Sequence, residues 1–320
     1  MRRYFAFNGD ADGLFALQQL RLDEPGEVVL VTGVKRDISL LERVVARPGD
    51  TCTTLDVSLD VNRVALASLL EAGVAVRYFD HHFAGSVPAH PNLEAYLDPS
   101  PDVCTSLLVD AYLGGRFRPW AIAAAFGDGL TRKAEALAAA AGCQAEEVRA
   151  LRDLGLCVNY NAYGETIADL RVPPAELAEQ LLAYSDPSEF VRTSLSYRLL
   201  YEGYREDMAQ TGQLEPAHHA SGALVYILPD AAWARRASGT LANDLSKANP
   251  ECALALLAPR SEGGFVVSVR VPADSPVAAD AFCRRYATGG GRRTAAGINQ
   301  LAEAEAANFI REFAQQFRSS

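Results

Sequence analysis

"VRYFDHHFAG", residues 76–85, starts as an apolar, β-prone run and breaks at Asp80 into two adjacent histidines, His81 and His82. The chain has only 5 histidines in all. On its own, the triplet fits a capped turn with an imidazole packed sideways on a core. Its neighbours change that reading, because other apolar runs in the same half of the chain also end on acids.

Working outward, "YFAF" (4–7), "VVLV" (28–31), "TCTTL" (51–55) and "VAVRYF" (74–79) read as strands, with residues 13–22, 37–46 and 60–72 as the helices between them. Short β-rich runs separated by helix-length segments imply a parallel sheet with crossover helices. Residues 104–185 are rich in Ala and Leu and read as helical, and 188–215 reads as a long connecting helix. "QTGQLEPAHHASG" (210–222) is full of turn formers and reads as a linker. A second pattern follows, with strands at 223–228, 252–257 and 265–271, helices at 234–248, 277–286 and 303–317, and a Gly-rich loop, "GGGRRTAAG" (289–297). The expected fold class is α/β. It has a parallel-sheet domain over 1–187, a helical connector over 188–222, a smaller α/β domain over 223–320, and a cleft between the two domains.

In an open parallel sheet, ligands bind beyond the carboxyl ends of the strands. "NGDADG" follows the first strand and offers Asp10 and Asp12. Asp56 follows "TCTTL", and Asp80, His81 and His82 follow "VAVRYF". "AIAAAFGDG" (121–129) adds Asp128 after an apolar segment. Each alone fits an Asx turn or a helix cap. Four such signals in register favour a metal site. No run of Lys or Arg accompanies them in the sequence, so a divalent cation is the expected counter-charge. Carboxylates with one imidazole suit Mn²⁺, with Mg²⁺ as the alternative. Two ions sharing a carboxylate would clamp a phosphoryl group and sharpen a bound water into a nucleophile.

The chain of 320 residues is 49% hydrophobic and 22% charged, ordinary for a globular protein with two cores. Its formal net charge of -10 argues against a long duplex as ligand but leaves room for a small anionic substrate. The 6 cysteines are scattered without a CxxC pair, which excludes a zinc knuckle or a disulfide scaffold. No apolar run has the length of a bilayer span and the N-terminus has no signal-peptide core, so the expected location is the cytoplasm, with no membrane partner.

Taken in order, "NGDADG", Asp56 in "LDVS", "DHH" (80–82), Asp128 in "FGDG" and "GGGRRTAAG" resemble the five motifs of the DHH–DHHA1 branch of the DHH phosphoesterases. The resemblance runs over nearly the whole chain. The length is nearer to the short nanoRNase-type members than to processive RecJ-like nucleases. It implies that Asp10 and Asp56 bind one metal, and that Asp12, Asp56, His81 and Asp128 bind the other, with Asp56 bridging. It also implies that His82 faces the substrate phosphate and that Asp80 orients the histidines. Two positions depart from the family pattern. Asn8 stands where the first motif usually has His, which weakens its claim as a ligand. Arg292 stands where the GGGH signature has His, and Arg still binds phosphate bidentately.

The resemblance also implies a substrate-binding role for Arg270 on its strand and for Gly289, Gly290, Gly291, Arg292 and Arg293, where glycine lets backbone approach an anion. Read from residues alone, Arg270 equally fits a snorkelling edge side chain, and "GGGRR" a tight turn with solvated arginines. Thr105 and Ser106 read as helix caps, and Tyr160, Tyr163, Tyr201 and Tyr204 as core. The function expected is a metal-dependent phosphodiesterase of short oligonucleotides or linear dinucleotides. The alternatives are a phosphomonoesterase or polyphosphatase, or a catalytically weak nucleotide-binding sensor. A homodimer remains possible.

Overall fold

The structure, a computed structural model, describes residues 1–318. The chain divides into two compact units, Met1–Gly203 and Tyr204–Ser320.

The first unit carries β1 (Arg3–Phe7), α1 (Ala11–Asp23), β2 (Val29–Val31), β3 (Thr51–Leu55), α2 (Arg63–Glu71), β4 (Ala75–Asp80) and β5 (Leu93–Leu97). Helices α3 (Thr105–Tyr112), α4 (Arg118–Gly127), α5 (Thr131–Ala140), α6 (Ala145–Asn161), α7 (Pro174–Leu181) and α8 (Pro187–Thr193) follow. The boundary between units falls inside α9 (Leu195–Thr211). Strands β2-β1-β3-β4-β5 form one sheet in that order, all parallel. Both faces of β1 are covered, since Tyr4, Phe5, Ala6 and Phe7 are all buried. This is why the central strands read as continuous apolar runs rather than alternating ones. Residues Ala11 to Arg21 of α1 are also buried on every side, so the helix launched by the first acidic motif lies at the heart of this unit.

The second unit adds β6 (His218–Ala220), β7 (Ala223–Ile227), α10 (Ala232–Ala248), β8 (Ala253–Pro259), β9 (Phe265–Arg270), α11 (Ala279–Cys283), β10 (Gly289–Gly291), β11 (Ala295–Leu301) and α12 (Glu303–Gln316). Its mixed sheet runs β10-β11-β9-β8-β7-β6. One face packs Val225, Leu257, Val267 and Val269 against Phe282, Phe309 and Phe313 of α11 and α12. The other packs Leu224, Tyr226, Leu254 and Leu256 against Leu241 of α10.

The structure corrects several boundaries. Residues 37–46 do not form a helix. Only a 3-10 turn forms, Leu40–Arg43, because Asn62 takes the local backbone groups: its Oδ1 accepts from Leu41 N–H at 3.1 Å and its Nδ2 donates to Ile38 O at 2.7 Å. The helix over 188–215 is broken at Ser194, which is extended at ψ 131 and whose hydroxyl accepts from Tyr197 N–H at 3.3 Å. The linker over 210–222 contains β6, and the helix over 277–286 shrinks to α11. Strand β5 was not expected; it is a short edge strand with Glu94 and Ala95 exposed, too weakly apolar to stand out. The Gly-rich loop is a β-hairpin, β10 paired antiparallel with β11. Among the described residues no helix is long and apolar enough to cross a membrane.

Candidate metal centre

The order of the parallel sheet places a topological switch between β1 and β3, since the strands that follow each lie on opposite sides. Backbone pairing continues past the strand ends: Asn8 N–H donates to Leu55 O, and Asp56 N–H to Phe79 O, both at 3.1 Å. The residues just after β1, β3 and β4 are therefore held side by side. Asp56 is the only non-glycine residue with positive φ among those described, at 57°. Asp tolerates this left-handed conformation better than most residues, but it remains a strained one of the kind that gathers at functional sites.

Asp10 caps α1, its Oδ1 accepting from Asp12 N–H at 3.0 Å and Gly13 N–H at 3.2 Å. A Cβ on Gly13 would stand 2.2 Å from Asn8 O, so this turn closes only around glycine. Both carboxylate oxygens of Asp12 are fixed at the start of α3, accepting from the N–H groups of Thr105 and Ser106 at 2.7 Å each. Asp56 Oδ1 accepts from the Thr105 hydroxyl at 3.3 Å and lies 3.4 Å from His81 Nε2. His81 Nε2 is also 4.0 Å from Asp12 Oδ2. His81 Nδ1–H donates to Val103 O at 2.9 Å, which turns Nε2 toward the acids. His82 Nδ1–H donates to Asp80 Oδ1 at 2.7 Å and lies 3.9 Å from Asp56 Oδ1. The His82 side chain is 43% exposed while Asp80 is fully buried, so the acid holds the ring from below and leaves its far nitrogen accessible. Asp80 Oδ2 has no hydrogen-bond partner among the described residues. Asp128 ends α4 and shares the electrostatic field of Asp10, Asp12 and His81.

No run of Lys or Arg accompanies these acids in the sequence, but the structure brings one lysine to them. Lys35, on the segment after β2, donates from Nζ to Asp10 Oδ2 and, at 3.0 Å, to Asn159 Oδ1. It lies 5.3 Å from the centre of the Tyr163 ring. Asn8 sits beside it but turns both ends of its amide to backbone, Oδ1 accepting from Asp10 N–H at 3.2 Å and Nδ2 donating to Lys35 O at 3.1 Å. Thr105 and Ser106, read as caps, hold the acids as well.

The charges answer to this arrangement. Burial works against ionised Asp10, but the adjacent Lys35 ammonium overrides it and holds the carboxyl below its usual range. Burial works against charged Lys35 too, and Asp10 overrides it, keeping the amine protonated. Asp56 has no ammonium beside it. Burial, then the charges of Asp10 and Asp12, push it well above the carboxylate range, and its hydrogen bond and attraction to His81 only partly offset them. Burial likewise raises Asp128. Burial would lower His81, but its hydrogen bond and attraction to Asp56, then Asp12 and Asp128, raise it to about 10. Asp56, His81 and His82 offer ligand atoms all within 4.8 Å of one another. Buried carboxylates that repel one another beside an imidazole are the donor set of a hard divalent cation, so the residues present fit Mn²⁺ or Mg²⁺.

The glycine signature of the second unit is built differently. A Cβ on Gly289 would stand 1.7 Å from Cys283 O, and Gly291 has φ 143°, whereas Gly290 has nothing within 4 Å. Arg292 N–H donates to Ala295 O, closing a two-residue turn at Arg293-Thr294. Arg292 and Arg293 are exposed, the latter with one guanidinium nitrogen donating to Ser275 O at 2.9 Å. Arg270 pairs with Ala295 across the sheet, so Arg270 and Arg292 flank one residue of β11, and Asn243 Oδ1 accepts from Arg270 Nε at 3.0 Å.

No family model matches the chain, and no curated protein matches it. Solved structures do. An exonuclease RecJ bound to manganese matches with a TM-score of 0.63 at 22% identity, covering 100% of this chain and 91% of that one. RecJ from Thermus thermophilus in complex with Mn²⁺ gives the same TM-score, 0.63, at 22% identity over 99% of this chain and 52% of that one. The pGpG-specific phosphodiesterase PggH from Vibrio cholerae gives 0.56 at 15% identity, over 99% of each chain. The fold implied by the ordered motifs is thus the fold the chain adopts, the one shared with these RecJ and PggH structures.

Proposed function

We propose that the chain is a divalent-cation-dependent phosphoesterase, and within that class a phosphodiesterase acting on short oligonucleotides or linear dinucleotides. The observation that carries this reading is His82, held on buried Asp80 at 2.7 Å at the rim of a buried cluster of acids. Asp56, His81, Asp12 and Asp128 would hold the cation. When bound, it supplies Lewis acidity to a phosphoryl oxygen and makes an adjacent water acidic.

The chain's own residues do the rest. Asp12, pinned by two backbone N–H groups, keeps its carboxylate in place without side-chain freedom to lose. Val103 fixes the His81 tautomer, so Nε2 is the nitrogen presented to the cluster. Asp80 holds His82 through Nδ1–H, so Nε2 is the ring atom left to face the substrate, and it donates to a phosphate oxygen or to the leaving group only when the ring carries a second proton there. Arg270, Arg292 and Arg293 recognise a further phosphate, with Asn243 steadying Arg270. Of the three glycines, Gly290 alone has open space where a side chain would stand, so a ligand can approach that face of the hairpin closely. The likeness to a pGpG phosphodiesterase over the full length of both chains supports the linear dinucleotide as substrate.

A substrate panel with Mn²⁺ or Mg²⁺ tests this: linear dinucleotides, short RNA and DNA, phosphomonoesters, polyphosphate and long duplex. Fastest turnover is expected on the linear dinucleotides and shortest oligonucleotides. Turnover confined to monoesters or polyphosphate would move the assignment within the phosphoesterases. Tight binding of dinucleotides with no turnover under either metal would make the protein a nucleotide sensor.

A further inference from the structure

Lys35 is held as tightly as the acids. Its backbone N–H donates to Ala162 O at 2.9 Å and its carbonyl accepts from Asn8 Nδ2 at 3.1 Å. Two of its three ammonium donors go to Asp10 Oδ2 and Asn159 Oδ1, and the Tyr163 ring lies 5.3 Å away. The third has no protein acceptor among the described residues. The lysine side chain is 23% exposed, against 3% for Asp10.

This divides the cluster. Asp10 has both oxygens engaged, Oδ1 by the N–H groups of Asp12 and Gly13 and Oδ2 by the ammonium. Asp56, on the other side, faces a hydroxyl and two imidazoles. Ions in two-metal sites stand about 3.5–4 Å apart and rely on carboxylate oxygens between them. An ammonium seated on Asp10 takes one of those oxygens and repels a second ion. Asn8 cannot readily replace the lost donor, because its amide bonds to the backbone of Asp10 and of Lys35.

We propose that the site holds one divalent cation, on the Asp56–His81 side, and that the Lys35 ammonium is the second positive charge, on the Asp10 side, with its remaining N–H offered to a phosphoryl oxygen of the substrate. This rests on the phosphoesterase reading and departs from the expectation of two ions. Asn8 becomes a positioning residue for the lysine.

The test is metal stoichiometry. The full chain, stripped with chelator, is titrated with Mn²⁺ by calorimetry, and the loaded protein is examined by electron paramagnetic resonance. One ion per chain is expected, with the spectrum of an isolated ion. Asp10→Asn should keep that ion and His81→Ala should lose it. Lys35→Ala in an Asn8→His background should bind two ions with a spin-coupled spectrum, and Lys35→Arg should stay at one. Two ions in the wild type, loss of the ion in Asp10→Asn, or a single ion in the Asn8→His/Lys35→Ala protein would overturn the assignment of Lys35 and leave the phosphoesterase reading standing. No Mn²⁺ bound by the wild type would overturn both. Circular dichroism reports whether each variant folds. Should the double variant not fold, the wild type and Asp10→Asn decide between one ion and two.

Discussion

The acid cluster after β1, β3 and β4 and the arginine hairpin of β10 and β11 both carry charge, but they hold it in opposite ways. In the cluster, Asp10, Asp12, His81, His82 and Lys35 each have a fixed partner, and the groups are buried or half-buried. At the hairpin, Arg292 and Arg293 are exposed. On the proposed function, the difference separates two tasks. Groups that must meet developing charge are oriented in advance, because reorganisation during the reaction would raise the barrier. Groups that recognise a phosphate can order when it arrives, at a cost in side-chain entropy.

Substitutions should therefore act most strongly in the cluster. Asp56→Asn is expected to abolish turnover, a loss of more than about 10⁴-fold, together with Mn²⁺ binding. The same change removes a buried carboxyl whose ionisation burial and its acidic neighbours oppose, and Asn tolerates positive φ as Asp does. The metal-free variant should melt higher, by roughly 2–4 °C for about 1 kcal/mol. A variant that melts lower would break the view of Asp56 as a residue kept against stability.

His82→Ala should lower kcat by about 10²–10⁴-fold, the usual range for a positioned acid or base. Asp80→Asn should follow it in the same direction, because the amide can no longer fix the proton on Nδ1. Asp80→Asn matters only through His82, so the two changes together should cost little more than His82→Ala alone. Additive losses would show that Asp80 acts elsewhere.

The next effect is one of pH. His81 in the metal-free protein is raised from 6.5 to about 10. Its protonated form therefore adds stability fully below pH 6.5, and that contribution is lost as pH rises through about 10. A cation that takes His81 as ligand must displace this proton. Mn²⁺ affinity should rise about tenfold per pH unit through neutrality. Calorimetry in two buffers of different ionisation enthalpy should show at least one proton released per ion. Binding without proton release would remove His81 from the ligand set.

At the hairpin the effects should be smaller. Arg292→Ala is expected to raise KM by roughly tenfold with little change in kcat, the worth of one charge-assisted contact to phosphate. A fall in kcat with KM unchanged would put Arg292 in the chemistry and erase the contrast between the two regions. Smallest of all, Gly290→Ala has open space around the new methyl and should change stability by less than about 0.5 kcal/mol. Any loss of substrate affinity it causes would then report on close approach of the substrate to that face of the hairpin.

Much of this was legible in the sequence. Apolar β-prone runs mark β1, β3, β4, β7, β8 and β9, and the acids stand within a few positions beyond β1, directly after β3 and at the end of β4. Those features are local, set by the burial of a central strand on both faces and by the turn that must follow it. The pairing of Asp80 with His82 is local as well, two residues apart.

What only the tertiary structure decided depends on contacts between distant residues. Lys35 reaches Asp10 across 25 positions and Asn159 across 124, from a segment with no periodicity to single it out. Thr105 and Ser106 grip Asp12 from 93 and 94 positions away. The glycines of "GGGRRTAAG" signal freedom of the backbone, but they pair as a strand because β11 lies beside them and Cys283 leaves no room for a Cβ at Gly289. Sequence shows which charges the chain must bury, since each stands at or just beyond the end of a buried strand or helix or at the start of a buried helix. Which charge answers which is set by distance in space, and that is where the lysine enters.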